Sequence, residues 1–320
     1  MKNKLFRPGY FRCFECAADR CLDSCCRSGW EIPLDDETYR LYKSACAEDL
    51  DDNLMTGSDG DRIFRLKDNG DCPYLDNKGL CRLYTLTGGA LGEICKKYPR
   101  FTEEYDGFTE EGLSISCPEA QRLILKALPE DYSFTGEAPE EELLAFLHSA
   151  RSKAFQIIFD KSPCETAAAR LIDFGAYLEL SYSCANPEAL ERVAEYKPKS
   201  RIKLLSDDYS YIAEIILTKT DILYPKWREL LERAAKGEIK ERAFDARIGR
   251  RYLAYLVFRF FLKAVNRENI KAVCEFIAAS YILVTRLPGD FCENARLFSK
   301  EIEHDAENYE AIVSQFELLA

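Results

Sequence analysis

Five thiols fall within one short stretch, Cys13-Phe-Glu-Cys16-Ala-Ala-Asp-Arg-Cys21-Leu-Asp-Ser-Cys25-Cys26. A cysteine kept as a small core hydrophobe would sit on an apolar stripe, whereas these lie among polar residues. Cys72, Cys81, Cys95 and Cys117 follow at wider intervals. Cysteine thiolates select zinc or iron–sulfur clusters. The pattern therefore predicts that distant segments converge on a Cys-rich metal centre, around which the N-terminal part folds. His148 and His304 are the only histidines, and both fall in predicted helices far from the thiols in sequence. That speaks against Cys2His2 zinc, a His-based catalytic metal and a Cys–His nucleophilic pair.

The spacings match no common metal motif. Cys13 and Cys16 are a C-x2-C pair, but Cys21, Cys25 and Cys26 do not repeat it, and ferredoxin runs are absent. Cys21-x3-Cys25 has no third cysteine two residues on, so the C-x3-C-x2-C signature of radical S-adenosylmethionine enzymes is missing too. Thr87-Gly88-Gly89-Ala90-Leu91-Gly92 reads as a helix-entry loop, since no strand clearly precedes it as a nucleotide fold requires. The Asp/Gly-rich stretch Asp49 to Asp71 lacks the alternating ligands and closing Glu of an EF-hand.

The cellular compartment decides how thiols are read. Met1 to Tyr10 has basic residues but no apolar signal-peptide core. The most apolar stretch, Tyr252 to Phe258, is followed by Arg259 and broken again by Lys263, short of the roughly 20 residues of a membrane span. A cytoplasmic location without membrane attachment is expected, where disulfides are rare and Cys clusters bind metal or do redox work. Ten of the fourteen cysteines lie at or before Cys117; Cys164, Cys184, Cys274 and Cys292 are scattered through helical sequence and are expected to be packing residues. The net charge of −11, with the acid concentrated in the first half, argues against a nucleic-acid partner. It suits a basic protein partner or, more blandly, a solvated surface.

Local signals place the thiols. Asp35 with Asp36 and Glu37 starts a helix through Tyr39, Tyr42 and Cys46, with Cys46 on its packing face. A short strand is expected over Arg62 to Leu66. Asp76-Asn77-Lys78-Gly79 is a turn that lets Cys72 and Cys81 meet across a tight loop. A helix from about Gly89 to Tyr98 carries Cys95 and ends at Pro99, and two short strands flank Asp106-Gly107. Pro118 suits the first position of a helix, which puts Cys117 at its N-terminus, where a thiolate is favoured. Pro129 to Pro139 is a Pro/Gly-punctuated connection. Beyond it the pattern is helical: Glu140 to Asp160, a start at Asn186-Pro187-Glu188, a helix opened by Pro225 and closed by Gly237, and Ile248 to Val265 apolar almost all round. The expected fold is mainly α: a Cys-rich metal-binding domain with short β-hairpins over 1–133, then an all-α helical bundle over 134–320 for substrate or partner binding.

The set Cys16-x4-Cys21-x3-Cys25-Cys26 with Gly29-Trp30, Cys72-Pro-Tyr-Leu, Gly79-Leu-Cys81, Cys95 leading into Tyr98-Pro99-Arg100, and Leu113-Ser-Ile-Ser-Cys117-Pro118-Glu119-Ala120 resembles the flagellin lysine N-methylase (FliB) family. That family is related in its cysteine pattern to the CxxCxxCC zinc- or iron-chelating proteins. The resemblance covers roughly Phe6 to Leu128, with Cys13 as an extra thiol. It implies an enzyme that transfers methyl groups from S-adenosylmethionine to lysine amines of flagellin or another basic protein. It further implies an iron–sulfur cluster, 4Fe–4S ahead of zinc, held among Cys16, Cys21, Cys25, Cys26, Cys72, Cys81, Cys95 and Cys117. Eight thiolates exceed the need of one cluster, so either there are two metal centres or some of these cysteines serve structure. The alternative is a non-catalytic Cys-rich zinc or iron module with a helical protein-interaction domain.

Overall fold

The computed structural model describes residues 4–45, 48–57, 60–134, 136, 138–184, 192–200, 208–239, 244–267 and 269–318. Cys46 and the expected helix start at Asn186-Pro187-Glu188 lie outside the described residues. The chain is mainly α, as the sequence implies, and it forms two compact units that do not follow chain order. One comprises Phe14–Phe101 and Cys117–Ala120; the other comprises Met1–Cys13, Thr102–Ser116 and Gln121–Ala320.

In the first unit, Asp35 caps the helix Asp36–Ser44 by accepting the Thr38 N–H at 2.8 Å, and the Thr38 hydroxyl donates back to its other oxygen at 2.6 Å. Leu54–Thr56 and Arg62–Phe64 pair antiparallel, with Leu54 opposite Phe64. The segment before the helix joins this ribbon, because Leu34 N–H donates to Arg62 and Phe64 N–H to Ile32. Leu34, Tyr42, Leu50, Phe64, Cys72, Tyr74, Leu75 and Leu83 form its apolar core. Short helices Arg82–Leu86 and Glu93–Lys97 complete the larger segment, and Pro118–Ile124 begins in its second one.

The second unit is organised by two helices, Ala246–Phe260, buried from Tyr252 on, and Ile270–Arg286, buried along almost its whole length. The former continues as a 3₁₀ turn, Phe261–Asn266, so the expected apolar stretch to Val265 is helical throughout but changes pitch. Cys164–Ser183 packs along Ile270–Arg286, and Gly175 permits the approach: a Cβ there would stand 2.7 Å from Cys274 Sγ and 3.3 Å from the Ile270 carbonyl. Glu142–Phe159, Pro225–Ala235, Phe291–Phe298 and Ala306–Glu317 surround this centre. The three-stranded sheet runs in the order Lys4–Phe6, Phe108–Leu113, Arg100–Tyr105. The N-terminal strand is parallel to its neighbour, with Leu5 opposite Thr109.

Two buried arginines of this unit are paired with carboxylates. Arg151 binds Glu110 through two hydrogen bonds of 2.8 and 2.5 Å, and both side chains are nearly solvent-free. Arg259 pairs with Glu103 and lies 3.6 Å from Glu303, while Lys263 reaches Glu103 at 2.8 Å. Among the described residues no helix is long and apolar enough to cross a membrane.

Candidate metal centre

All eight cysteines singled out from the sequence fall in the first unit, and both histidines fall in the other. Cys13 also belongs to the other unit. Among the described residues, no three Cys, His, Asp or Glu side chains stand close enough, as placed, to hold a single ion. What the fold brings together is best seen from the backbone around each sulfur.

The segment carrying the first four thiols is a string of tight turns. Cys21 ends the 3₁₀ turn Ala18–Arg20, which opens with Ala18 at φ 49°, a left-handed conformation rare for a residue with a Cβ. The Ala18 N–H points back at Cys16 Sγ, 3.4 Å away. Ser24 caps the next turn, Cys25–Arg27, by accepting the Cys26 N–H. Cys25 is exposed, whereas Cys26 packs against the apolar core. The adjacent Cys25 and Cys26 thiols interact as a coupled pair, so deprotonating one disfavours deprotonating the other.

Cys72 and Cys81 sit at the two ends of one loop. Asp76 accepts the N–H groups of Lys78 and Leu80 at 2.8 Å, and Gly79 takes the positive φ of 79° that such a turn needs. Leu75 and Cys81 then bridge as an isolated antiparallel pair. The Cys72 N–H donates to the Cys26 carbonyl at 2.8 Å, which ties this loop to the first cysteine string. Cys72 is 7% exposed and a member of the core itself. Cys95 is exposed on Glu93–Lys97. That helix is docked by the Gly92 N–H, which donates to the Tyr42 hydroxyl at 2.5 Å. Glycine is needed there, since a Cβ would meet Thr38 Cγ2 at 2.9 Å and the Tyr42 hydroxyl at 3.1 Å. Tyr42 and Gly92 were not legible as part of the centre; Tyr42 reads in sequence only as a packing residue.

Cys117 is buried just before Pro118–Ile124, where the backbone N–H groups of Ala120 and Glu119 favour its thiolate. The same effect recurs at Cys81, from the N–H groups of Tyr84 and Leu83, and at Cys72, from that of Tyr74. Burial nonetheless dominates in the free protein, pushing Cys72 up to about 12 and Cys117 to about 11. The expected thiolate preference of Cys117 is thus present as donors but outweighed by desolvation. Backbone donors aimed at sulfur from two or three residues ahead stabilise a thiolate ligand and tune a cluster. Four of the eight positions, Cys16, Cys72, Cys81 and Cys117, have them, so the donor set fits a thiolate-bound metal. The sequence signal for this is a cysteine followed directly by a turn or a helix start.

No protein-family model matches the sequence, and no solved structure matches it. The flagellar biosynthetic protein FliU of Salmonella muenchen is 31% identical over 170 residues, covering 48% of this chain and 95% of that protein. The chain therefore belongs to the family of flagellar biosynthetic protein FliU. Two lysine-N-methylases, from Salmonella typhimurium and Salmonella choleraesuis, are 34% and 33% identical over 132 residues. Those matches span 37% of this chain and 31% of each lysine-N-methylase, so the chain corresponds to under a third of their length.

Proposed function

We propose that the chain is an S-adenosylmethionine-dependent protein lysine N-methyltransferase carrying a Cys-ligated iron–sulfur cluster, with flagellin or another basic protein as substrate. The observation that carries this reading is the similarity to the two lysine-N-methylases. The ligands are drawn from Cys16, Cys21, Cys25, Cys26, Cys72, Cys81, Cys95 and Cys117, and the N–H groups aimed at four of their sulfurs support the assignment. A bound cluster supplies electron-transfer or Lewis-acid chemistry. The protein must present the lysine amine unprotonated, because an ammonium has no lone pair for a methyl group. A lysine titrates near 10.4 in water, so desolvation at the site must favour the neutral amine.

A non-catalytic zinc or iron module is the second reading, and one observation favours it: Cys72 is part of the apolar core, with Cys26 and Cys81 packed on it. The discriminating experiment is purification without oxygen, followed by iron, zinc and acid-labile sulfide analysis. Calorimetric titration with S-adenosylmethionine and mass spectrometry of flagellin incubated with protein and cofactor then follow. Iron with sulfide, saturable cofactor binding and methylated lysines are expected. Stoichiometric zinc, no cofactor binding and unmodified flagellin would overturn the enzyme reading in favour of the module.

A further inference from the structure

We propose that Tyr42 and Trp30 are positioning residues for Cys95: they hold the helix Glu93–Lys97 by its two ends, at Gly92 and at Tyr98, and so fix where its thiol stands. This rests on the reading of Cys95 as a metal ligand and adds the residues that place it.

A helix of five residues does not hold itself together in water, where isolated helices shorter than about 12–15 residues are marginal. Nor does Glu93–Lys97 bury a side chain, since each of its residues is exposed. The ion pair between Glu93 and Lys97, at 3.2 Å, is open to solvent and adds little. The flanking residues differ: Gly92 and Pro99 are both buried. This helix is therefore held by its ends.

At the first end the Gly92 N–H donates to the Tyr42 hydroxyl at 2.5 Å. Tyr42 is 2% exposed and belongs to the apolar core, so this end is tied to the core of the unit. At the second end Tyr98 closes the helix, with its N–H on the Ile94 carbonyl at 3.0 Å. Its ring meets Trp30 edge-on at 5.2 Å, and Arg100 lies over the Phe14 ring at 5.0 Å. Trp30 follows the Cys25–Arg27 turn and Phe14 precedes Cys16, so this end is tied to the first cysteine string. The contact also gives a role to Gly29-Trp30 and Tyr98-Pro99-Arg100, which stand out in sequence beside the thiols. Cys95 is three residues from Gly92 and three from Tyr98, about 4.5 Å along the axis from each. A side chain midway between two fixed points has the least room to move. A metal ligand needs that, because its bond length must hold to within about 0.2 Å. Loss of either anchor leaves the helix to pivot on the other.

The test compares the anaerobically purified protein with Tyr42→Phe, Trp30→Leu and Trp30→Phe. Tyr42→Phe keeps the ring in the core and removes only the hydroxyl, so the fold is preserved. Hydrogen exchange over residues 93–98 and 36–44 is read by mass spectrometry, alongside the rate at which bound iron or zinc is lost to EDTA. Tyr42→Phe and Trp30→Leu are each expected to speed exchange over 93–98 about fivefold, with 36–44 unchanged, and to speed metal loss about 10–100-fold. Trp30→Phe, which keeps an aromatic ring against Tyr98, is expected to stay close to wild type. Unchanged exchange over 93–98, or acceleration shared by 36–44, overturns the positioning role and leaves the metal-centre reading standing. Faster exchange confined to 93–98 with metal held as in wild type also overturns it, because the helix then places no ligand. A wild-type protein that holds no metal overturns the ligand reading and the positioning role together.

Discussion

His148 gives the sharpest energetic consequence of the helical unit. Its ring sits edge-on to Phe108 at 5.3 Å and Phe134 at 4.6 Å, and its Nε2 is buried with no hydrogen-bond partner among the described residues. Burial, helped by the Arg151 guanidinium, pushes it down to about 4. No carboxylate offsets that effect, and the Glu110 carboxylate is engaged by Arg151 itself. The unfolded chain binds the proton near 6.5 and the folded chain only near 4, so the unfolded state holds more protons between those values. Stability is therefore full above about 6.5, falls as the pH drops toward 4, and levels off below it. The full span corresponds to about 3 kcal/mol, and about 2 kcal/mol of it is lost between about pH 7 and about pH 4.5.

His148→Phe keeps an aromatic ring against Phe108 and Phe134 and removes the titration. Carboxylates titrate in the same window, so the informative quantity is the difference between wild type and variant. Urea unfolding can be followed by fluorescence of Trp227, which is fully buried in this unit, after replacing Trp30, the other tryptophan, by Phe. The variant is expected to lose about 2 kcal/mol less than wild type on acidification. Parallel losses in the two proteins would refute the claim that this imidazole is held neutral by its aromatic site.

Two further outcomes follow from the same unit. Arg151→Met should cost about 3–5 kcal/mol by leaving the Glu110 carboxylate buried and unpaired, and adding Glu110→Leu should recover much of it. A double-mutant cycle in urea checks this, and additive losses would show that the pair is not acting as a buried unit. Gly175→Ala should cost about 1–3 kcal/mol by driving a Cβ into Cys274 and the Ile270 carbonyl, measured as a lowered thermal midpoint. Cys274→Ala should rescue it only in part, because the Cys274 Cβ is as close as its sulfur.

Much of the fold was legible where the signal is local. The Asp35 cap, the Asp76 turn, the hairpin at Asp106-Gly107 and the helix opened by Pro225 all form as their side-chain chemistry dictates. What was not legible is non-local. Lys4–Phe6 is too short to show a period, and it becomes a strand only because Phe108–Glu110 offers a parallel edge about a hundred residues away. The serines of the Leu113-to-Cys117 motif were also missed as a buried hub: Ser114 and Ser116 bond His304 Nε2 at 3.0 and 2.9 Å, and Ser114 meets Ser299 at 2.9 Å. Tyr255 joins them by donating to Glu303 at 2.5 Å and accepting from the Ile115 N–H. Isolated hydroxyls carry no periodic signature, and His304 lies far along the chain.

Polarity of sequence context sorts exposed from buried cysteines only in part. Cys72 sits in a core and Cys26 and Cys81 pack on it, although their sequence neighbours are polar. Cys184, in helical sequence, is exposed rather than packed, while Cys164 and Cys274 are buried as expected. Burial alone thus does not sort them. The direction of the hydrogen bond separates some of them. The Cys164 thiol donates, to the Ala246 carbonyl at 3.3 Å, which is possible only while it keeps its proton. Cys16 instead accepts the Ala18 N–H, and backbone N–H groups favour the thiolates of Cys72, Cys81 and Cys117, an arrangement that gains strength when the proton leaves. A packing thiol has no use for such donors, whereas a thiolate bound to a metal does. The backbone turns that supply these donors are built by the local fold of each loop.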